Sequence, residues 1–457
     1  MTTAMRSGSV PAHEPTSADL ERLATYPQVV VSWIDEGGYP TSVATTFQAN
    51  ADRGTVTLDA PAGMPIPTDR EINVIGSHIR PRPGIGYDER RYLQLWGRAS
   101  DGSLFIPTRA WGWDETETPF FEYSERSVPQ SRRYLAALSV EKGRTIRPRL
   151  SLFWLALRTT RLPFLSATAV PVLLGIAAAA SDGAFTWWTA LLTLIGGSFA
   201  HLAINVTNDI FDTLSGADEA NTTPTKFSGG SRVAVYELVS IRGLSWLALA
   251  LFAIAGAIGL LLVAITGSLT LLWIGLAGIL VGVAYTAPPL KLVYRGLGEI
   301  AVAVGFGPIM LLGAYVVQTG RLAWEPLVLS LVPGALIALI LFVNEIPDRR
   351  SDAEAGKRTL PTRFSPEVIR TGYLIVALAA FAVIAGGAVG GLLPWPTLIA
   401  LAAVPLALRV HAGLKVHYDS PYTLMAVMGT NVNLNIAVGG LLLIGYVVAI
   451  VVMQLSG

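Results

Sequence analysis

The sequence predicts a two-part protein: a soluble, small β-barrel domain followed by an all-α polytopic membrane bundle of nine transmembrane helices. Three observations carry this reading. Hydrophobic residues make up 52% of the 457-residue chain, only 14% are charged, and mean hydropathy is +0.51. That balance is too apolar for an ordinary soluble protein. The average also hides a division, because residues 1 to about 150 have soluble composition and the remainder is mostly apolar runs. Within the first part the runs are short and bounded by turn residues, whereas in the second they are long enough to cross a bilayer.

Residues 1–19 (MTTAMRSGSVPAHEP and its continuation) lack an apolar core, so they read as a disordered lead-in and not a secretory signal. The soluble domain is placed at 20–140. Gln28–Ile34 reads as a buried strand, Glu36-Gly37-Gly38 as its hairpin turn and Pro40–Phe47 as the return strand. Gly54–Leu58, Glu71–Gly76 and Tyr92–Arg98 supply further strands, and units of this length predict a small barrel. A basic linker at 141–161, with Arg144, Arg147, Arg149, Arg158 and Arg161, precedes the membrane domain at 162–457.

Nine apolar segments follow, at about 162–180, 184–204, 244–265, 268–285, 297–318, 324–343, 369–391, 393–410 and 431–454. Loops after the even-numbered segments carry Lys226, Arg232 and Arg242, then Lys291 and Arg295, then Arg349, Arg350, Lys357, Arg358 and Arg363, and finally Lys415. The other loops hold only Arg321. The positive-inside rule therefore predicts a cell-membrane protein with a cytoplasmic N-terminus, an external C-terminus and the soluble domain on the cytoplasmic side. A net charge of +1 argues against nucleic-acid binding, and the absence of cysteine excludes disulfides and thiolate chemistry.

The candidate site lies in two stretches. Asn205–Asp218 (NVTNDIFDTLSGAD) continues the second apolar segment and puts Asn205, Asn208, Asp209 and Asp212 on one helical face. Asn344–Thr359 (NEIPDRRSDAEAGKRT) continues the sixth, with Asn344, Asp348 and Asp352 spaced by four if the helix carries on past Pro347. Acids in a bilayer are costly on lipid, so these face a hydrated cavity. Paired acidic faces suit divalent cations, which take oxygen ligands from one or two carboxylates and from substrate phosphates. Lys226, Arg232, Lys357 and Arg358 are placed to hold the outer oxygens of a diphosphate. Tyr285, Lys291, Tyr294 and Arg295 stand at the same predicted face, either as further substrate contacts or as plain interfacial anchors. His201 lies two turns before Asp209; a core histidine and a supporting role for the acids both remain open.

Two resemblances add to this. YPQVVVSWIDEGGYPTSVATTF resembles the opening hairpin of the pyridoxamine-phosphate-oxidase-like split barrels over about 120 residues. It implies FMN as a candidate cofactor, beside a cofactor-free barrel used for packing or regulation. From about residue 155 onward the chain resembles the UbiA-type intramembrane prenyltransferases, whose marks stand here as Asn208-Asp209-Ile210-Phe211-Asp212 and Asp348-Arg349-Arg350-Ser351-Asp352. Within that family Tyr285-Thr286-Ala287-Pro288-Pro289-Leu290-Lys291, Tyr294–Glu299 and Ser215-Gly216-Ala217-Asp218 look most like 1,4-dihydroxy-2-naphthoate prenyltransferases of menaquinone biosynthesis. Glu345 and Pro347 depart from many relatives, which have Asp or Asn and Arg there.

The resemblance implies Mg²⁺ held by Asp209, Asp212, Asp218, Asp348 and Asp352, an isoprenyl diphosphate, and an aromatic acceptor. Other acceptors (4-hydroxybenzoate, homogentisate, a glyceryl lipid, a haem), a transporter whose acids line an ion path, and a membrane-anchored flavoprotein are the competing readings.

Overall fold

Seven strands build the first unit of the computed structural model, which describes residues 12–82, 86–118, 120–147, 151–221, 224–225 and 227–456. The strands are β1 (Val29–Ile34), β2 (Pro40–Thr45), β3 (Phe47–Asn50), β4 (Thr55–Leu58), β5 (Ile72–Arg82), β6 (Gly86–Ala99) and β7 (Leu104–Asp114). They form one antiparallel sheet in the order β2-β1-β5-β6-β7-β4-β3. The two ends of that order, β2 and β3, are separated in the chain by Thr46 alone. The sheet must therefore curl until its ends meet, giving a half-barrel. Alternate residues turn inward and are buried: Val29 and Val31, Ile72 and Val74, Leu93 and Leu95. Helix α1 (Ser17–Leu23) adds Leu20 and Leu23 to this core and is held by a capping box between Thr16 and Asp19.

The hairpin predicted at residues 36–38 is present, with Asp35 N donating to Tyr39 O at 2.9 Å. Other elements differ from the sequence reading. The return strand ends at Thr45, and Thr46 O instead accepts from Asp59 N at 3.0 Å. Strands β5 and β6 extend well beyond 71–76 and 92–98, and β7 lies in a stretch with no strand assigned. Pro107 masks β7 because proline cannot donate to a ladder; it is accommodated opposite Gly97, where the β6–β7 register shifts. Helix α2 (Phe120–Glu141) replaces the end of the predicted β-rich region and the start of the basic run. Its Tyr123 stacks on Trp113 at 4.5 Å and shares a 2.9 Å hydroxyl hydrogen bond with Tyr92.

The two compact units are Met1–Ile146 and Arg147–Gly457. The second is helical: α3 (Leu152–Thr160), α4 (Ser166–Ser181), α5 (Trp187–Leu214), α6 (Ala217–Ala220), α7 (Ile241–Thr266), α8 (Leu269–Thr286), α9 (Gly298–Val304), α10 (Met310–Thr319), α11 (Trp324–Glu354), α12 (Leu360–Arg363), α13 (Pro366–Val389), α14 (Val404–His417) and α15 (Pro421–Ser456). A π-helical turn, Gly305–Ile309, joins α9 to α10, so the pair reads as one helix of 22 residues. Helix α3 occupies part of the predicted linker. Lys415, expected in a loop, belongs to α14, as do His411 and His417.

Among the described residues eight helices are long and apolar enough to cross a membrane. The first predicted segment gives only the 16-residue α4, short of the roughly 20 residues a span requires. Helix α11 is central. Its Leu329, Val332, Leu336, Leu339, Val343 and Ile346, three and four residues apart, are all buried. The α9–α10 helix approaches it through Gly307 and Gly334: a Cβ on Gly307 would stand 2.6 Å from Ser330 O, and one on Gly334 2.7 Å from Ala303 O. Asn431 of α15 donates to Leu339 O at 2.8 Å and accepts from Tyr373 of α13 at 3.0 Å, tying three helices together in the apolar interior. This rigid centre fixes the C-terminal turns of α11, which run unbroken past Pro347 as the spacing of its acids requires.

Candidate functional site

The last turns of α5 and α11 end at the same pole of the bundle, on a cavity of about 630 Å³. Asn205, Asn208 and Asp212 reach it from α5, Asp218 from α6, Tyr285 from α8, and Asn344, Asp348 and Asp352 from α11. The 3.6-residue period accounts for both helical sets. Lys357, two residues beyond the C-cap of α11, completes the polar wall.

Each acid has a distinct set of partners. Asp212 accepts from Lys357 Nζ and Tyr294 OH at 2.8 Å each, and from Asn208 Nδ2 at 3.0 Å. Lys357 also stands 3.7 Å from Asp352. Asp348 accepts from Asn221 Nδ2 and from Gly229 N, both at 2.8 Å. Asp209 is paired with the Arg161 guanidinium and with Ser231 N at 3.3 Å, and it does not line the cavity. Asp218 Oδ2 is buried and, among the described residues, has no hydrogen-bond partner.

The electrostatics follow from this crowding. Burial, then the Asp212 and Asp209 carboxylates, push the Asp218 carboxyl up to about 8. Burial works against the Lys357 ammonium, but Asp212 and Asp352 outweigh it and hold its pKa well above the usual lysine value. Burial and Asp212 likewise push the Tyr294 phenol up.

The loop after α6 closes over these acids through Gly229 and Gly230, with φ of +79° and +72°. That left-handed region favours glycine. Successive backbone N–H groups in such a turn form an anion-binding concavity, here filled in part by Asp348. A Cβ on Gly230 would lie 2.8 Å from both Asp218 oxygens.

Not every predicted residue reaches the cavity. Arg232 donates to the carbonyls of Asp218 (2.7 Å) and Asn221 (3.1 Å), so it braces the loop. Lys291 stands 5.2 Å over the Tyr294 ring, and Arg295 donates to Pro289 O at 3.0 Å. Arg358 anchors the Tyr294 turn through its backbone N–H, at 3.0 Å. Lys226 lies outside the described residues. His201 lines the cavity wall, hydrogen bonded to Thr168 at 2.8 Å and edge-on to Phe306 at 4.8 Å.

Sequence reasoning missed Arg161 as a site residue, together with Asn221, the Gly229-Gly230 turn and Glu345. The Gly-Gly pair in a polar loop directly after an acidic helix end was the available signal. Arg161 gave none, since it sits among other arginines of a basic run.

Away from the acids the cavity becomes apolar, running between α5, α7, α8 and the α9–α10 helix past Phe252, Ile258, Ile279 and Met310. Gly256, Gly259 and Gly275 open it further: a Cβ at any of them would meet nothing within 4 Å. One end thus suits an anionic, metal-neutralised group and the other a long apolar chain.

Among the described residues no group of three His, Asp or Glu side chains could hold a metal ion by itself. Mg²⁺ does not require one, because it retains waters and binds through one or two carboxylates plus substrate phosphates. The orphaned Asp218 oxygen, beside Asp212 and Asp352 on the same cavity, fits that donor set.

The profile of the UbiA prenyltransferase family matches residues 168–426. The chain belongs to this family. It is 28% identical over 296 residues to a 2-carboxy-1,4-naphthoquinone phytyltransferase from Synechocystis sp., covering 64% of this chain and 92% of that protein. It is 34% identical over 239 residues to a 1,4-dihydroxy-2-naphthoate octaprenyltransferase from Mycobacterium tuberculosis, covering 52% of this chain and 78% of that one. Among solved structures, a UbiA homolog from Archaeoglobus fulgidus bound to GPP and Mg²⁺ superposes with a TM-score of 0.47 at 15% identity, over 63% of this chain and 99% of that chain. The family match does not reach the barrel, and none of these similarities supports FMN there.

Proposed function

We propose that this prenyltransferase moves an isoprenyl group from isoprenyl diphosphate to 1,4-dihydroxy-2-naphthoate, releasing diphosphate and, from the ring, CO₂. The observation that carries the reading is a continuous cavity with two facing acidic helix ends at one pole and a glycine-opened apolar arm at the other. The naming of the relatives as naphthoate prenyltransferases supports the acceptor.

In this reading Asp212, Asp218, Asp348 and Asp352, with Asp209 behind them, would hold Mg²⁺ at the diphosphate end of the cavity. When bound, the metal neutralises the charge that develops on the leaving group. Lys357, already poised between Asp212 and Asp352, supplies a further positive charge at that point. Arg161 keeps Asp209 in place, and the Gly229-Gly230 turn positions Asp348. These groups are fixed before reaction and so favour the transition state over the ground state. The apolar arm shields the allylic cation from water. We further propose that α4, extended by the turn at Leu162–Leu165, completes a ninth span. The loop charges then put the acids and the N-terminus on the cytoplasmic side.

The test is a competition. Purified protein with Mg²⁺ and a long-chain isoprenyl diphosphate is offered 1,4-dihydroxy-2-naphthoate and 4-hydroxybenzoate together. Prenylation confined to the naphthoate is expected; preference for the benzoate would overturn the acceptor assignment and leave the diphosphate site standing.

A further inference from the structure

Glu345 lies three residues before Asp348 on α11, one helical turn deeper in the bundle. It is 7% exposed, lines the cavity, and its Oε2 has no hydrogen-bond donor among the described residues. It belongs to neither acidic motif. Its neighbour is Glu299 of α9, whose Oε1 also lacks a donor. The two carboxyls lie close enough to interact. Ionised carboxylates only accept, so a hydrogen bond between them would need one proton held in common. With or without that proton, the pair keeps acceptor capacity at the cavity wall.

Depth decides what meets it. A diphosphate held at Asp348 and Asp352, with its chain in the apolar arm, would present its allylic carbon on the inner side of those acids. Glu345 lies on that side, about one turn along α11. A buried acceptor atom in a membrane bundle is costly to leave unpaired, and the matching group on an electron-rich ring is a hydroxyl.

We propose that Glu345, held by Glu299, receives a ring hydroxyl of the acceptor and so aims the carbon beside that hydroxyl at the allylic carbon. This rests on the transfer reading above. In the reaction the hydroxyl proton passes to the carboxyl pair while the ring carbon forms its bond to the allylic carbon. The allylic C–O bond breaks and its electron pair leaves with diphosphate. The pair then returns the proton to the ring oxygen as the ring carbon sheds its own substituent, a proton to diphosphate or a carboxylate as CO₂, and aromaticity is restored.

Three variants of the full chain in lipid nanodiscs test this: Glu345→Leu, Glu345→Gln and Glu299→Gln. The readouts are equilibrium binding of 1,4-dihydroxy-2-naphthoate and of its 1,4-dimethoxy analogue, followed by ligand fluorescence, and the separate KM and kcat for both substrates. Glu345→Leu is expected to weaken naphthoate binding about tenfold or more. Its KM for isoprenyl diphosphate should stay within about twofold, and binding of the dimethoxy analogue should not change. Glu345→Gln still accepts the hydroxyl but cannot take its proton, so it should lower kcat while leaving acceptor binding nearly intact; Glu299→Gln should act in the same direction. A purely structural role would instead move both substrates together. Naphthoate binding to Glu345→Leu within twofold of wild type overturns the proposal, as does wild-type protein that binds the two ligands alike. If the wild type transfers nothing yet binds the naphthoate through Glu345, the transfer reading and the proton step fall, and only the contact between Glu345 and the ring hydroxyl stands.

Discussion

Replacing Lys357 by methionine keeps its apolar stem and removes one buried charge. Its Nζ stands 2.8 Å from Asp212 and 3.7 Å from Asp352, and the side chain is 9% exposed. At an effective dielectric of about 20, unit charges at those separations attract by roughly 6 and 4.5 kcal/mol before desolvation is counted. Truncating one partner of a buried pair typically leaves a net loss of about 3–5 kcal/mol. Two effects are therefore expected of Lys357→Met. The substrate-free protein loses stability of that order, and added Mg²⁺ restores part of it by replacing the missing positive charge between the two acids. The transition state loses a cation at the leaving group, so kcat/KM for isoprenyl diphosphate falls about 10²–10³-fold. Thermal unfolding with and without Mg²⁺, and initial rates against isoprenyl diphosphate concentration, read the two effects separately. Lys357→Arg, which keeps the charge, should recover part of the rate. A Lys357→Met variant with kcat/KM within threefold of wild type and an unchanged melting curve would refute the reasoning.

Other positions give sharper separations. Arg161→Ala strips Asp209 of its guanidinium partner and should cost about 3–5 kcal/mol between stability and transition-state binding, read as lost transfer activity with partial recovery in Arg161→Lys. Gly230→Ala forces a Cβ to within 2.8 Å of the Asp218 oxygens at a φ of +72°, and should lower activity while far-ultraviolet circular dichroism keeps the helical signal. Gly259→Phe fills open space in the apolar arm, so it should reduce turnover of long-chain isoprenyl diphosphates far more than of short ones, measured as a ratio of kcat/KM values.

What was legible in the sequence is what depends on local spacing. Asn208, Asp212, Asp348 and Asp352 follow the helical period, and two such faces at the ends of apolar runs announce a shared site. The buried run that forms β1 and the turn at Glu36–Gly38 were equally plain. The positions that escaped are set by tertiary contact. Arg232 has the composition of a phosphate ligand yet spends its donors on loop carbonyls. Arg161 has the composition of a linker and reaches Asp209, 48 positions away in the chain. Glu345 stood out as a departure from related sequences, but its meaning depends on Glu299, a helix away. In the barrel, Pro107 conceals β7 because a register shift absorbing a proline cannot be read from one strand. The first apolar segment looked like a full span, but its helix begins only at Ser166, after a tighter turn.

The central claim is that buried carboxylates at one pole hold a metal–diphosphate for prenyl transfer, and Asp212→Asn tests it most directly. The substitution preserves shape and removes the charge that Lys357, Tyr294 and Asn208 surround. Transfer from a long-chain isoprenyl diphosphate to 1,4-dihydroxy-2-naphthoate should require Mg²⁺, stop on addition of EDTA, and fall at least about 10²-fold in Asp212→Asn. Transfer that persists at wild-type rates in the variant, or that survives EDTA, would contradict the account.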